Sequence, residues 1–153
     1  MARGAGGQIS FYALDAEVIE ASHYGSVGDS PATESIVGDL VLSGIDTSSV
    51  IMVNDRPARG TKTLTWGEFV DDWASRGTAS PINALIAGAF ERDGGGYGRC
   101  VVEMAFDSAP TPAGEDSAGW TGHLVEWGDR CPETTNIRFE YASVIIGPAI
   151  LGG

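Results

Sequence analysis

Twenty-two glycines punctuate this chain of 153 residues, about twice the usual share of roughly 7%, and no Gly-X-Y period accompanies them. Frequent glycine implies many turns, because each one is a natural turn, bulge or cap and a poor interior residue for helix or strand. A turn-rich fold is expected. With 42% hydrophobic residues it has enough apolar side chain to pack those segments around a core.

Twenty-one acids stand against nine bases, Lys62 is the sole lysine, and the formal net charge is −12. Sequence-independent grip on phosphate backbones or anionic lipid comes from Lys and Arg, so this balance argues against nucleic-acid or membrane binding. The opening Met1 to Gln8 has no apolar stretch after its one arginine and does not read as a signal peptide, and no apolar run approaches a membrane span. A soluble protein made without export is expected.

Read for period, Ile9 to Ala21 suggests two short strands bent at Asp15, and Ser22 to Glu34, with Gly25, Gly28 and Pro31, suggests an exposed loop. Ile36 to Leu42 and Val50 to Val53 have hairpin spacing. Thr65-Trp66-Gly67-Glu68 fits a capping box, which predicts a helix from Trp66 to Arg76 with Phe69, Val70 and Trp73 on one face and Trp66 and Trp73 both turned inward. Ser80 as N-cap, Pro81 in the first turn and Ile82, Leu85, Ile86, Ala89 and Phe90 at helical spacing predict a second helix. Asp93 to Gly96 would stop it.

From Arg99 the period is two, with Cys100, Val102, Met104 and Phe106 on one side. Asp107 to Gly119 reads as a mobile acidic loop, and Trp120 to Trp127 and Ile137 to Ile146 as the last strands, with Ile137, Phe139, Tyr141 and Ile145 sharing a face. The odd separation of Trp120 and Trp127 puts them on opposite sides of their strand, so one is left outside unless a neighbour covers it. In total the pattern predicts a mainly β or α+β fold, a single-domain β-sandwich or barrel of about seven strands with one or two helices packed on it. An N-terminal arm (1–8), a β-rich domain (9–146) and a C-terminal arm (147–153) divide the chain.

Chemistry-bearing constellations are sparse. His23, Cys100, His123 and Cys131 lie in four separate segments, unlike the paired ligands of structural zinc sites, and whether Cys100 and Cys131 pair depends on whether their Cα atoms come within bridging distance. Gly94-Gly95-Gly96-Tyr97-Gly98 has no following lysine and precedes a strand, which is the wrong order for a phosphate loop. Asp71-Asp72 and Glu115-Asp116 read as solvated surface, and no Gly-x-Ser-x-Gly elbow is present. No catalytic residue, cofactor or metal is expected, and the chain reads as a non-enzyme.

The helical pattern from Ser80 to Phe90, the strand from Arg99 to Phe106 and the paired segments Gly119-Trp-Thr-Gly-His-Leu-Val-Glu-Trp-Gly-Asp and Thr135-Asn-Ile-Arg-Phe-Glu-Tyr-Ala-Ser-Val-Ile-Ile-Gly-Pro resemble a tailed-bacteriophage tail tube protein. The resemblance implies a virion structural protein whose copies close a hexameric ring by strand pairing and stack around a DNA channel. Six copies at −12 each would carry −72, repelling the DNA that slides past. The alternative is a capsid decoration protein, trimeric and clamped by its arms; a small acidic ligand-binding domain or enzyme, using a cleft beside the second helix, comes third. On the virion readings the partners are copies of itself and other virion proteins, and the candidate assembly contacts are Ile9, Phe11, Trp120, Trp127, Ile150 and Leu151.

Overall fold

The computed structural model describes residues 7–20, 36–54, 60–78, 81–132 and 134–149. The expected loop from Ser22 to Glu34 and the contacts Ile150 and Leu151 lie outside them. Nine strands and one helix follow in chain order: β1 (Gly7–Glu20), β2 (Ile36–Ile45), β3 (Val50–Asn54), β4 (Gly60–Leu64), α1 (Trp66–Arg76), β5 (Ile82–Glu91), β6 (Tyr97–Phe106), β7 (Thr111–Pro112), β8 (Ala118–Trp127) and β9 (Asn136–Ala149). β2, β8, β6, β5, β9 and β1 are hydrogen-bonded in that order, and β1 pairs back onto β2, which closes a six-stranded antiparallel barrel. The mainly β expectation holds, with a barrel and, among the described residues, a single helix.

The second expected helix is a strand. In β5 burial alternates, with Ile82, Ala84, Ile86 and Phe90 inward and Asn83, Leu85 and Glu91 outward. Ile82 and Ile86 satisfy a period of four and a period of two equally, so the apolar pattern alone does not separate the states. Pairing along both sides, with β6 over Ile82–Glu91 and with β9 over Ala84–Ala89, makes it a central strand. The glycine-rich segment after it is accordingly the turn of the β5–β6 hairpin, where Gly95 and Gly96 take φ of 102° and 80°.

β1 is one continuous strand, but its inward phase shifts at Asp15, where Ala13 and Ala16 are both buried and exposed Leu14 and half-buried Asp15 lie between them. The strand is long enough to take two partners on one side: its first residues pair with β3 (Gln8 to Ser10) and its later ones with β2 (Ala13 to Glu20). β2 and β3 therefore do not form the expected hairpin with each other. The turn between them is tied to β1 by the Asp46 amide, which donates to the Tyr12 carbonyl at 2.9 Å. The β3–β4 hairpin carries the sheet beyond the barrel, giving a continuous six-stranded run β4-β3-β1-β9-β5-β6.

β1 begins at Gly7 and pairs with Ala149 at the end of β9, so both strands extend into the segments expected as arms, whose remaining residues lie outside those described. Between Asp107 and Gly119 the chain is not free either. β7 pairs with β8, the Ala113 amide donates to Ser117 and the Ile45 amide to Asp116.

Two register slips also re-aim side chains. β8 slips register against β6 between the pairs Glu103–Glu126 and Met104–Leu124, so Val125 and Glu126 both face out and Trp127 returns to the side of buried Val102. The expected opposition of Trp120 and Trp127 is lost: Trp120 is buried and Trp127 packs, half-buried, against the core. β9 slips against β5 at Tyr141, whose φ is 58°. Its inward set is Ile137 and Phe139, then Ala142, Val144 and Ile146; Tyr141 and Ile145 are thereby corrected to the outer side.

Helix α1 forms as its sequence dictates. The Thr65 hydroxyl accepts from the Glu68 amide at 3.1 Å, the Glu68 carboxylate accepts from the Thr65 amide at 2.9 Å, and Gly77 ends the helix. Trp66, Phe69, Val70 and Trp73 are all buried, and they meet the barrel through rings. Phe11 lies 4.9 Å from Trp66, Trp73 lies 5.2 Å from Trp120, and Trp120 stacks on Phe106 at 4.1 Å. These contacts cluster where β1, β5 and β8 begin and β2, β6 and β9 end, so the helix closes that end of the barrel.

Candidate assembly surface

A barrel of six strands is narrower than the eight-stranded barrels whose interiors side chains just fill. Phe11, Leu40, Ile86, Val102, Met104, Phe139 and Val144 occupy this one, each fully buried. The grooves bounded by described residues lie on the outside and open to solvent. The cleft invoked for a ligand-binding reading has no helix to sit beside, because that segment is β5.

Of the expected contact residues, Ile9, Phe11 and Trp120 are interior: the first two have no exposure and Trp120 has 3%. Phe11 and Trp120 hold α1 onto the barrel, and the Trp120 indole N–H donates to the Ser108 carbonyl at 2.8 Å. A partner could reach none of the three without opening the protomer, so as assembly contacts they are corrected to core. Trp127, half-buried, remains at the rim.

What the surface does present was missed in the sequence. Five large apolar side chains project from four adjacent strands of the long sheet: Tyr12 (61% exposed), Leu14 (55%) and Tyr141 (75%) on β1 and β9, with Leu85 (42%) on β5 and Val101 (41%) on β6. Cross-strand register places them together, since Tyr12 is opposite Ser143, Ser143 opposite Ala87, and Ala87 opposite Val101. The next row runs Ser10, Ile145, Leu85, Glu103. Charged residues ring this patch: Asp15, Glu140 and Arg138 on one side, Glu103 and Glu126 on another, and Arg99 at a corner. An apolar centre inside a polar rim is the anatomy of a protein interface. The one signal for it in sequence is Tyr12 and Leu14, two apolar residues out of phase with Phe11 and Ala13.

Among the described residues the same sheet ends at β4, which pairs only with β3; its residues are exposed apart from half-buried Leu64, and it carries Lys62. A lysine at an edge is a common guard against indiscriminate strand pairing.

Cys100 and Cys131 are joined, their Cα atoms 5.2 Å apart, which removes both thiols from any metal reading. The bond fastens the loop after β8 alongside β6, where the Gly128 amide also donates to the Val101 carbonyl at 2.8 Å. His123, on β8, pairs through Nε2 with Asp107 at 2.9 Å; His23 lies outside the described residues. Asp72 binds Arg76 one helical turn on, at 2.9 Å. Among the described residues no group of three His, Cys, Asp or Glu is placed to hold a metal ion, and no helix is long and apolar enough to cross a membrane. No protein-family model, curated protein or solved structure matches the chain.

Proposed function

We propose that this chain is a non-enzymatic, self-assembling structural subunit of a tailed-phage virion, of the tail tube kind, whose copies join edge to edge into a hexameric ring around a DNA channel. The observation that carries the reading is the β4 edge, which among the described residues has no strand beyond it and is held out from a filled barrel on a hairpin that continues the barrel's own sheet. Such an edge offers a row of unpaired amides and carbonyls to a neighbour's strand, and a contact between two different surfaces propagates into a ring when its rotation closes. The high acid content suits a channel through which DNA passes without sticking.

A capsid decoration subunit is the second reading. It is favoured by the Gly7–Ala149 pairing, which sends both ends of the described chain out from the same end of the barrel, as a two-armed clamp requires. Negative-stain imaging and light scattering of purified protein at raised concentration separate the two. Six-membered rings or tubes are expected, whereas trimers would favour decoration and monomers alone would overturn both.

A further inference from the structure

We propose that the outer face of β1, β9, β5 and β6 is a docking surface for the same face of a second copy, the two related by a two-fold axis that crosses the strands along the row Tyr12, Ser143, Ala87, Val101. The inference is independent of the ring, which uses the β4 edge.

Charge selects the partner and the axis. On β6, Arg99 and Glu103 stand two residues to either side of Val101 and both side chains face out. Glu103 is directly opposite Glu126 of β8, a like-charge pair that disfavours its own sheet, and its carboxylate is held by the Asn83 amide at 2.8 Å. Arg99 is opposite Ala89 and makes no ion pair among the described residues. Each protomer thus has an excess anion on one side of the Val101 row and an unmatched cation on the other. Rotation about that row sets Arg99 against the partner's Glu103, and by symmetry the reverse, so both defects are satisfied in one contact. An axis along the strands would lay β6 over β1 and, through the rows Arg99–Ala89–Glu140–Asp15 and Glu103–Leu85–Ile145–Ser10, set Arg99 against an Asp15 already held by Arg138 and leave Glu103 facing uncharged Ser10.

The apolar centre fits the same operation. Tyr141 and Ile145 lie two residues to either side of Ser143, so Tyr141 meets the partner's Ile145. Ser143 and Ala87, at the middle, are small enough to let two sheets approach to the usual ~10 Å. Tyr141 is the one non-glycine residue with positive φ among the described residues, and the slip in β9 that creates this conformation turns its ring outward. A strained backbone supporting a 75% exposed aromatic marks a residue placed for contact. The four strands at ~4.8 Å spacing make a face roughly 19 Å wide, and strands of ten residues at ~3.3 Å make it about 33 Å long. A contact of about 600 Å² per partner falls at the lower end of the range for specific interfaces.

Sedimentation velocity over a concentration series tests the proposal. Wild-type protein is expected to form a dimer, and Arg99→Glu and Glu103→Arg each to weaken it by about tenfold, since each variant creates two like-charge contacts. The double variant should return to near wild-type affinity, because the swapped charges again meet across the axis. Tyr141→Ala should weaken the dimer while circular dichroism and Tm show the protomer intact. Ser143→Cys should cross-link to itself under mild oxidation, which a head-to-tail contact would not permit. Thr63→Pro and Lys62→Pro, both on the β4 edge, should leave the dimer unchanged, so failure of the ring and failure of the dimer are read separately. A monomer at every concentration, or a double variant no tighter than the singles, would overturn the proposal.

Discussion

At the scale of single residues, the constraints that shape this molecule lie where backbone approaches backbone. A Cβ on Gly122 would stand 2.4 Å from the Ala105 carbonyl oxygen and 2.7 Å from the Phe106 ring. Both are buried parts of β6 with nowhere to move. Gly122→Ala is therefore expected to destabilise the protein by about 2–3 kcal/mol, measured as a fall in the urea midpoint without change in slope. Tyr141 poses the opposite case, because its φ of 58° is one that glycine adopts without strain. Tyr141→Gly should hold or raise stability by up to about 1 kcal/mol, and a loss above that would show that the ring packs on its own protomer more than its exposure implies. Neither residue was legible from its neighbours in sequence. Gly122 is one glycine among many, and Tyr141 continues an unbroken alternation with Ile137 and Phe139.

At the scale of elements, legibility followed how local the determining interaction is. Helix α1 was readable residue by residue because Thr65 and Glu68 satisfy each other's amides across three positions, with no help from the barrel. Thr65→Ala should cost about 1 kcal/mol, read as lost thermal stability, whereas Trp73→Ala, which empties a fully buried site between α1 and Trp120, should cost about 3–5 kcal/mol. β6 was readable because its alternation is strict. β5 was not, since Pro81, Leu85 and Ala89 complete a helical pattern that two neighbouring strands then override. The Cys100–Cys131 bond closes a segment with a sequence separation of 31. Replacing both cysteines by serine should cost about 2–4 kcal/mol, and equal stability in oxidising and reducing buffer would contradict it.

At the scale of the whole molecule, charge opposes the proposed edge contact. Copies at −12 repel, and in the proposed ring the β4 edge would bring them together through backbone groups that carry no net charge. Ring formation should therefore be promoted by salt, which shortens the screening length from ~30 Å at 0.01 M to ~8 Å at 0.15 M; light scattering that fell with added salt would contradict edge pairing as the driving contact. Proline at Thr63 and at Lys62 supplies a sharper test. Alternate residues of an edge strand point their amides outward, so one of the two variants removes a free donor and the other a donor to β3. The first should fold and fail to form rings, and rings from both would rule out the β4 edge.

Composition by itself set the net charge, and local spacing set a mainly β chain, the position and caps of helix α1 and the inward face of β6, because each of these elements depends on residues within one turn or one strand of each other. The tertiary structure alone decided that β5 is a strand, that β1 serves two partners, that Cys100 meets Cys131, and that Ile9, Phe11 and Trp120 lie inside while Tyr12, Leu14 and Tyr141 lie outside. The physical reason is that a strand's fate is set by the neighbours that hydrogen-bond to it, and in this barrel those neighbours are distant in sequence: β1 lies between β9 and β2, and one register slip on β9 turns a tyrosine from the core to the surface.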